Sequence, residues 1–277
     1  MTENKITIVI TSYKSEKTIL SCLESIDQKY KVIIIENSSN QDFKKKIEKQ
    51  FINVECIVAK ENLGYAKGNN LGLSKVGTPF ALILNPDAIL EKETIKNFFI
   101  TADKIKTFAI IGPAIQDSNI ENKNNSLIEV ESVKGFAMFL KMDEFKNIGF
   151  FDKNFFIYLE EIDLCKRLIK NSKKIFIDPN IIVKHQGGSS HDEEYNFQME
   201  LSRNWHWMWS TFYFNKKHYG YLFSILKIQK KLFSSLFKVF YYRILFNKKK
   251  SQVYFQRTSG IINSMLGRQS WYRPSTE

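Results

Sequence analysis

Short apolar runs alternate with helical patterns through the first hundred residues, and this alternation constrains the fold more than any other feature. The four runs lie at residues 6–10, 32–35, 54–59 and 80–84, and they have the length and composition of buried strands. The segments between them place apolar residues at helical spacing. The order β-α-β-α-β-α-β predicts a doubly wound, mostly parallel sheet, in which ligands bind beyond the carboxyl ends of the strands.

A second set of elements and a change in charge divide the rest of the chain. Strand patterns at 137–140 and 174–177 flank a helical pattern at 160–170. Residues 201–277 contain 14 of the 41 Lys and Arg residues, only one acid and all four Trp residues, whereas residues 1–200 are nearly neutral. We therefore expect an α/β domain over 1–200 and a basic, aromatic helical region over 201–277.

The cysteines and the N-terminal residues indicate a compartment. Cys22, Cys56 and Cys165 are odd in number and scattered, so neither a disulfide framework nor a zinc site is expected. Residues 1–20 lack the charged and then apolar pattern of a secretory leader. Both features predict a protein of the reducing cytoplasm.

Polar clusters follow three of the four predicted strands, at residues 11–13, 36–39 and 85–87. Ser, Asn and Asp are common turn formers, which explains any one cluster taken alone. The carboxyl ends of parallel strands meet at one edge of a sheet, so three clusters favour a shared site. Asp87, held by Pro86, is either a ligand for a hard cation or a cap for the helix expected from Glu91.

Two further segments carry residues that are candidates for binding a ligand. Residues 62–72 read NLGYAKGNNLG on a helical pattern, and such glycines indicate either a ligand against the helix or tight packing on the sheet. His185 follows a strand-like run and precedes the sequence GGSS at 187–190, so it is either a metal or phosphate contact or a solvated loop residue.

An acidic helix start at residues 160–163 provides candidate bases. Glu160, Asp163 and Arg167 share one helical face, while Glu161 lies towards the apolar side with Cys165. A carboxylate against apolar surface has a raised proton affinity, which suits a general base. The alternative interpretation is that these acids complement the helix dipole.

In order and spacing, these motifs resemble family 2 glycosyltransferases of the GT-A fold, closest to the rhamnosyltransferase-like bacterial branch. The resemblance runs from about residue 6 to 190 through TSY (11–13), ENSS (36–39), the glycine-rich segment, LNPDA (84–88), GFAMFL (135–140) and the acidic segment. It implies a Rossmann-like nucleotide-binding half and an acceptor half, followed by a C-terminal helical extension. Glu36 and Glu161 stand where the family usually has Asp.

The resemblance assigns a role to each candidate residue. Asp87 stands at the metal position of the DxD-like motif and would hold Mg²⁺ or Mn²⁺ with His185. Glu161 stands at the catalytic base position, with Glu160 and Asp163 as the alternative carboxylates. The nucleotide sugar would be bound by residues at the strand ends and along the glycine-rich segment: Thr11, Tyr13, Glu36, Asn62, Gly64, Lys67, Gly68, Asn69, Asn70 and Asn85.

The implied activity is inverting, metal-dependent transfer of a sugar, rhamnose or another hexose. The donor would be a UDP- or dTDP-sugar, and the acceptor a hydroxyl of a surface polysaccharide (cell wall or O-antigen) or of a lipid-linked glycan. An inactive homologue that acts as a membrane-bound scaffold is the alternative. A nucleotidyltransferase would need a glycine-rich loop after the first strand, and residues 11–15 contain no glycine.

The basic C-terminal region predicts attachment to an anionic membrane surface. Lysines break the apolar pattern of residues 219–246, which excludes a spanning helix. Lys227, Lys230, Lys231 and Lys238 share a helical stripe with Ser234 and Ser235, and apolar residues occupy the remainder. This pattern is typical of a helix in the membrane interface, with aromatic residues at the boundary, on the inner face of the cell membrane. A helix packed on the domain, with snorkelling lysines, is the alternative, and nucleic acid is not an expected partner.

Overall fold

A computed structural model of the chain describes residues 3–114, 126–185 and 193–274. By internal contacts the chain forms two compact units, one of Met1–Phe151 with Glu161–Asp192 and the other of Asp152–Glu160 with Glu193–Glu277. The sequence-based boundary after residue 200 falls within a helix of the second unit.

The first unit contains ten strands and five α-helices within its described residues. The strands are β1 (Ile6–Ser12), β2 (Lys31–Glu36), β3 (Val54–Val58), β4 (Phe80–Leu84), β5 (Ala88–Leu90), β6 (Ile110–Pro113), β7 (Ile128–Glu129), β8 (Ala137–Lys141), β9 (Ile175–Asp178) and β10 (Val183–His185). The helices are α1 (Thr18–Glu24), α2 (Gln41–Gln50), α3 (Gly64–Leu73), α4 (Thr94–Ile105) and α5 (Glu160–Lys170), the last beginning one residue before the unit does. Short 3₁₀ segments lie at Glu3–Lys5 and Met142–Phe145.

Eight strands form one mixed sheet in the order β3-β2-β1-β4-β8-β6-β9-β7. Strands β1 to β4 pair in parallel, β8 runs antiparallel to both β4 and β6, and β9 is parallel to β6. The apolar runs form the centre because strands covered on both faces need continuous apolar sequence, and β1 and β2 are buried almost throughout. The mixed α/β class with a large, mostly parallel central sheet is confirmed.

A separate two-stranded sheet of β5 and β10 decides between the two interpretations of Asp87. One of the two interpretations of Asp87 was that it caps a helix starting at Glu91. Instead Asp87 is followed by β5, which pairs antiparallel with β10, and α4 is preceded by Glu93 at its N-cap position. The capping interpretation of Asp87 is therefore wrong, because a strand intervenes between Asp87 and the helix.

The second unit, which we call the helical unit, contains α6 (Asn196–Tyr219), α7 (Tyr221–Ile244), α8 (Lys248–Met265) and a 3₁₀ turn at Glu193–Tyr195. Met208, Phe212, Ile228 and Ile261 form a buried cluster within it. Helices α6 and α8 come very close at Gly260, where a Cβ would lie 2.2 Å from the carbonyl oxygen of Trp205. None of the described helices is both long and apolar enough to cross a bilayer.

Two tryptophans depart from the expected membrane-boundary role. Trp205 is completely buried, and its indole Nε1 donates to Ser259 Oγ at 3.1 Å. Trp209 is 2% exposed and donates to the carbonyl of Arg268 at 3.0 Å. These rings form part of the helical core, because a buried indole needs a hydrogen-bond acceptor and both have found one inside the unit.

Candidate active site

The carboxyl ends of β2, β1 and β4 lie side by side, as the polar clusters predicted. Ser12 pairs with Glu36 across β1 and β2, and Ile10 pairs with Leu84 across β1 and β4. The chain beyond β2 is tied to β1 by a hydrogen bond from the Asn37 amide to the carbonyl of Ser12 (2.8 Å). The three clusters therefore share one edge of the sheet.

Helix α3 approaches this edge so closely that only glycine fits at two of its positions. A Cβ on Gly68 would lie 2.6 Å from Cγ2 of Thr11 and 3.2 Å from Nδ2 of Asn37. One turn further on, a Cβ on Gly72 would lie 2.4 Å from Cγ1 of Val9. Gly72 therefore allows tight packing on the sheet, which was one of the two interpretations of these glycines. Gly68 brings the helix backbone to the polar strand ends.

Four polar atoms at this edge are buried and have no hydrogen-bond partner in the described part of the chain. They are Thr11 Oγ1, Asn37 Oδ1, Asn69 Oδ1 and Asn85 Oδ1. Leaving such groups unpaired costs about 1–3 kcal/mol each, so their grouping at one edge indicates a place where a polar ligand supplies the missing partners.

Asp87 and His185 lie together although 98 positions separate them in sequence. The short ladder of β5 and β10 sets His185 opposite Ala88, and this places His185 Nε2 at 3.3 Å from Asp87 Oδ1. Asn85 Nδ2 lies 3.4 Å from the same imidazole nitrogen. Asp87 is 3% exposed, and its charge adds to burial in raising the pKa of the Cys22 thiol well above its usual value.

The oxygen and nitrogen atoms of this pair are suitable ligands for a hard or borderline divalent cation. One carboxylate and one imidazole converge, and the described residues contain no cluster of three or more His, Cys, Asp or Glu side chains that could enclose an ion. Mg²⁺ is commonly held by one or two protein carboxylates and completed by substrate phosphates. Asp87 and His185 fit a cation that arrives with, or is completed by, a diphosphate.

The segment at Gly135 and Phe136 links this pair to Glu161. The ring of Phe136 stacks on His185 with centroids 4.6 Å apart, and the Phe136 carbonyl accepts from the Asn85 amide at 2.8 Å. On the neighbouring residue, a Cβ built on Gly135 would lie 3.7 Å from Cβ of Glu161. Asp87 and Glu161 are thus connected through only a few contacts.

Tyr65 adds α3 to the same cluster. Its hydroxyl donates to the carbonyl of Gly135, and its ring meets Phe151 edge-on at 5.9 Å. Glu161 itself is half-buried on the side of α5 that carries the fully buried Cys165 and Leu168, as expected from the helical pattern. Burial raises the pKa of Cys165 to about 12, which shows how apolar this side of the helix is.

The other two acids of the segment have different surroundings. Asp163 is completely buried and accepts from Arg167 Nε at 2.8 Å, and the Arg167 guanidinium in turn donates to the carbonyls of Ile148 and Phe150. Its role in the structure is to fix the turn before the acidic segment, which does not suit a proton acceptor for substrate. Glu160 is 4% exposed, and by its contacts it belongs to the helical unit.

Two side chains that were predicted to bind the nucleotide sugar form hydrogen bonds with backbone groups. Asn70 forms a pair of hydrogen bonds with Phe151, donating to its carbonyl (2.8 Å) and accepting from its amide (3.0 Å). Glu36 is 3% exposed, and its carboxylate accepts from the amides of Ser38 (2.7 Å) and Asn40 (2.8 Å). Both side chains shape the site, and their functional groups face the protein's own backbone.

The remaining predicted residues lie at the edges of this cluster. Asn62 Oδ1 accepts from the amide of Gly64 at 3.0 Å, at the start of α3 where Gly64 has a φ of +74°. Lys67 is exposed on α3, and Tyr13 is half-buried directly after β1. Their roles in binding a donor stay predictions.

Replacement of Glu36 by Gln should destabilise the first unit. The Gln amide group would face one of the two backbone amides, so one buried donor would lose its acceptor. We expect the free energy of unfolding to fall by about 1–3 kcal/mol in urea titration. The control is Glu61→Gln, because Glu61 is exposed nearby. Equal stability of the two variants would contradict a structural role for the Glu36 carboxylate.

Sequence reasoning missed Asn37, Tyr65, Gly135 and Phe136 as individual site residues. Asn37 lies in the quoted ENSS cluster, Tyr65 in the glycine-rich segment, and the other two open the GFAMFL motif. Their motif membership was the available signal. Their contacts depend on tertiary packing between segments about 70 residues apart, such as the bond from Tyr65 to Gly135, which no local pattern encodes.

Comparison with known proteins identifies the family. The family model described as "Glycosyl transferase family 2" matches residues 7–165. The chain belongs to this family.

Two curated relatives give the level of similarity. The low-salt glycan biosynthesis hexosyltransferase Agl10 of Haloferax volcanii is 26% identical over 189 residues, which are 58% of this chain and 61% of that protein. The chain thus spans less than two thirds of this relative's length. The rhamnosyltransferase WbbL of Escherichia coli is 24% identical over 245 residues, 74% of this chain and 90% of that protein.

Solved structures support the fold. The mannosyltransferase PcManGT from Pyrobaculum calidifontis, in complex with GDP-Man and Mn²⁺, aligns with a TM-score of 0.61 at 10% identity, over 96% of this chain and 88% of that one. S. aureus TarS 1-349 in complex with UDP-GlcNAc aligns with a TM-score of 0.55 at 14% identity, over 97% and 93%.

Proposed function

We propose that this chain transfers a hexosyl or rhamnosyl group from a nucleotide-diphosphate sugar to a hydroxyl of a cell-surface polysaccharide or lipid-linked glycan, with inversion and with Mg²⁺ or Mn²⁺. The observation that carries the proposal is the continuous set of contacts from Asp87 through His185, Phe136 and Gly135 to Glu161. Such an arrangement supplies one acid for a metal and one acid for proton removal within a single unit. Hexosyl- and rhamnosyltransferase relatives support the reaction class.

The two acids have distinct tasks in this chemistry. A divalent cation held by Asp87 and His185 would neutralise the charge that develops on the departing nucleoside diphosphate. Glu161 would accept the proton of the acceptor hydroxyl as that oxygen attacks the anomeric carbon. One base and one displacement suffice for inversion, since no second carboxylate is needed as a nucleophile. Asp163 and Arg167 would hold the acidic segment in position.

The nucleotide would bind at the carboxyl ends of β1 and β2. Thr11, Asn37 and Asn69 carry buried polar atoms that have no partner in the described residues, and α3 packs against Thr11 and Asn37 at Gly68. A nucleotide base and ribose carry the donors and acceptors that such atoms need. Structural neighbours in complex with UDP-GlcNAc and with GDP-Man support a nucleotide-sugar donor in general. Within that class we propose a UDP- or dTDP-sugar.

We further propose that the helical unit attaches the enzyme to the inner face of the cell membrane. Leu222, Leu226, Phe233, Phe237, Phe240 and Ile244 recur at helical spacing on α7, and each is more than 60% exposed. Residues 201–274 contain 14 basic residues and no acid. A broad apolar stripe beside unbalanced positive charge suits an interface of anionic lipids.

A thermal-shift panel tests the donor and the metal together. We expect UDP- or dTDP-sugars to raise the melting temperature in the presence of Mn²⁺ or Mg²⁺ and to raise it much less with EDTA, because bound ligand stabilises the folded state by mass action. GDP-sugars serve as the comparison. Absence of a shift with every donor and metal, together with retained vesicle binding, would instead support a membrane-bound scaffold.

A further inference from the structure

A basic pocket lies between α7 and α8 of the helical unit, with a cavity volume of about 280 Å³. Four cationic side chains line it, and the hydroxyls of Ser234 and Tyr254 contribute to its wall. The cations are Lys230, Lys231, Lys238 and Arg257. The expected lysine and serine stripe of α7 is thus partly turned towards α8, and it is not simply a solvated face.

Among the described residues, no carboxylate lines this pocket. No Asp or Glu occurs between residues 201 and 274, and in the described chain none of the three lysines forms an ion pair with a carboxylate. Burial lowers the pKa of Lys231, and the positive charges of Arg257 and Lys227 lower it further. Like charges held this close are unfavourable in the free protein, and a bound anion would relieve their repulsion.

Neighbouring side chains hold two of the cations, Arg257 and Lys238, in place. Arg257 donates to Asn204 Oδ1 at 3.3 Å, and its guanidinium lies 5.8 Å from the ring centroid of Tyr254. Lys238 Nζ lies 4.9 Å from the same centroid. A guanidinium fork and several ammonium groups that meet from two helices match the many oxygens of a phosphate, whereas a carboxylate has only two.

The neighbourhood of the pocket indicates what carries the phosphate. Successive helical residues are about 100° apart, so Lys230 borders the exposed apolar stripe of Leu226, Phe233 and Phe237 on α7. A phosphate that enters from this side would have apolar surface directly beside it. Membrane lipids have this combination of a phosphate headgroup and apolar chains.

We propose that the α7–α8 pocket binds the phosphate headgroup of a membrane lipid. This inference rests on the membrane attachment proposed above and adds a specific headgroup site to it. It does not depend on the transfer reaction, since the pocket lies entirely within the helical unit. A phosphomonoester is the favoured headgroup, because its charge of about −1.5 to −2 balances several cations.

The test measures vesicle binding of the full chain by co-sedimentation. One set of phosphatidylcholine vesicles carries phosphatidic acid, and the other carries oleate at a matched surface charge. Wild-type protein should bind both, with the phosphatidic acid vesicles preferred about tenfold. Binding to oleate vesicles reports the general membrane attachment, and the ratio of the two affinities reports the headgroup site, so the two proposals can fail separately.

Two triple variants with equal charge loss separate the pocket from general basicity. Lys230→Gln/Lys231→Gln/Lys238→Gln removes pocket lysines, and Lys248→Gln/Lys249→Gln/Lys250→Gln removes three exposed lysines outside it. The pocket variant should lose the preference for phosphatidic acid, while the control variant keeps it. A wild-type ratio near one, or loss of the preference in both variants alike, would overturn the proposal. Displacement from phosphatidic acid vesicles by an equal concentration of inorganic phosphate would also overturn it, because the ligand would then be free anion.

Discussion

Asp87→Ala should abolish metal-dependent donor binding and with it sugar transfer. The carboxylate is the acid that pairs with His185 in the described part of the chain, so its removal leaves an imidazole that cannot by itself hold Mg²⁺ or Mn²⁺ against water. We expect donor affinity in the presence of Mn²⁺ to fall at least 100-fold, about 2.8 kcal/mol, by isothermal titration. Binding without metal should change little.

The matched controls for this variant separate charge from fold. Asp87→Asn keeps the size of the side chain and removes its charge, so it should behave like Asp87→Ala. Asp103→Asn removes an exposed acid from α4 and should leave binding unchanged. If Asp87→Ala retained metal-dependent donor binding, Asp87 would have no place in the site.

Glu161→Gln should stop transfer while the donor still binds. The amide cannot accept the proton of the acceptor hydroxyl, and general base catalysis contributes about 10²–10⁴-fold to rate. We expect kcat to fall by that factor, with donor affinity near normal in the same titration. A stopped assay with the nucleotide product as readout measures the rate.

Two further variants decide between the carboxylates of the segment. Glu161→Asp restores the side chain usual in the family and should retain much of the activity, since a carboxylate is still present although its reach is shorter. Glu160→Gln should reduce transfer far less than Glu161→Gln. Normal turnover by Glu161→Gln would assign the proton transfer to another group.

The sheet was accessible from the sequence because its signals are local. Each of the first four strands is a compact apolar run, and continuous apolar sequence is what a strand covered on both faces requires. Once the strands are parallel, the polar residues that follow them must meet at one edge. The convergence of Thr11, Glu36 and Asn85 followed from that rule alone.

The contacts that build the site were not accessible in the same way. His185 reaches Asp87 through a ladder of two three-residue strands, and strands so short have no readable periodicity. The sequence predicts that Asn70 and Glu36 bind the nucleotide sugar. It does not show that their side chains also form hydrogen bonds with the backbone of Phe151, Ser38 and Asn40. Side-chain partners are set by tertiary packing.

The helical region illustrates the same limit. Its composition predicted amphipathic, basic helices, and α7 does expose a stripe of apolar residues. Composition did not separate the tryptophans that build the helical core from the aromatic residues that remain exposed. Trp205 is completely buried, whereas Phe237 is 69% exposed.

Asp87 and Glu161 should act on opposite sides of one donor sugar. A crystal structure with an unreactive nucleotide-sugar analogue and Mn²⁺, with the metal located by anomalous scattering, tests it most directly. We expect a Mn²⁺ ion bonded to Asp87 and to the diphosphate. The Glu161 carboxylate should face the anomeric carbon from the side away from the leaving group. A metal bound elsewhere, or a Glu161 carboxylate outside the cavity that holds the sugar, would contradict it.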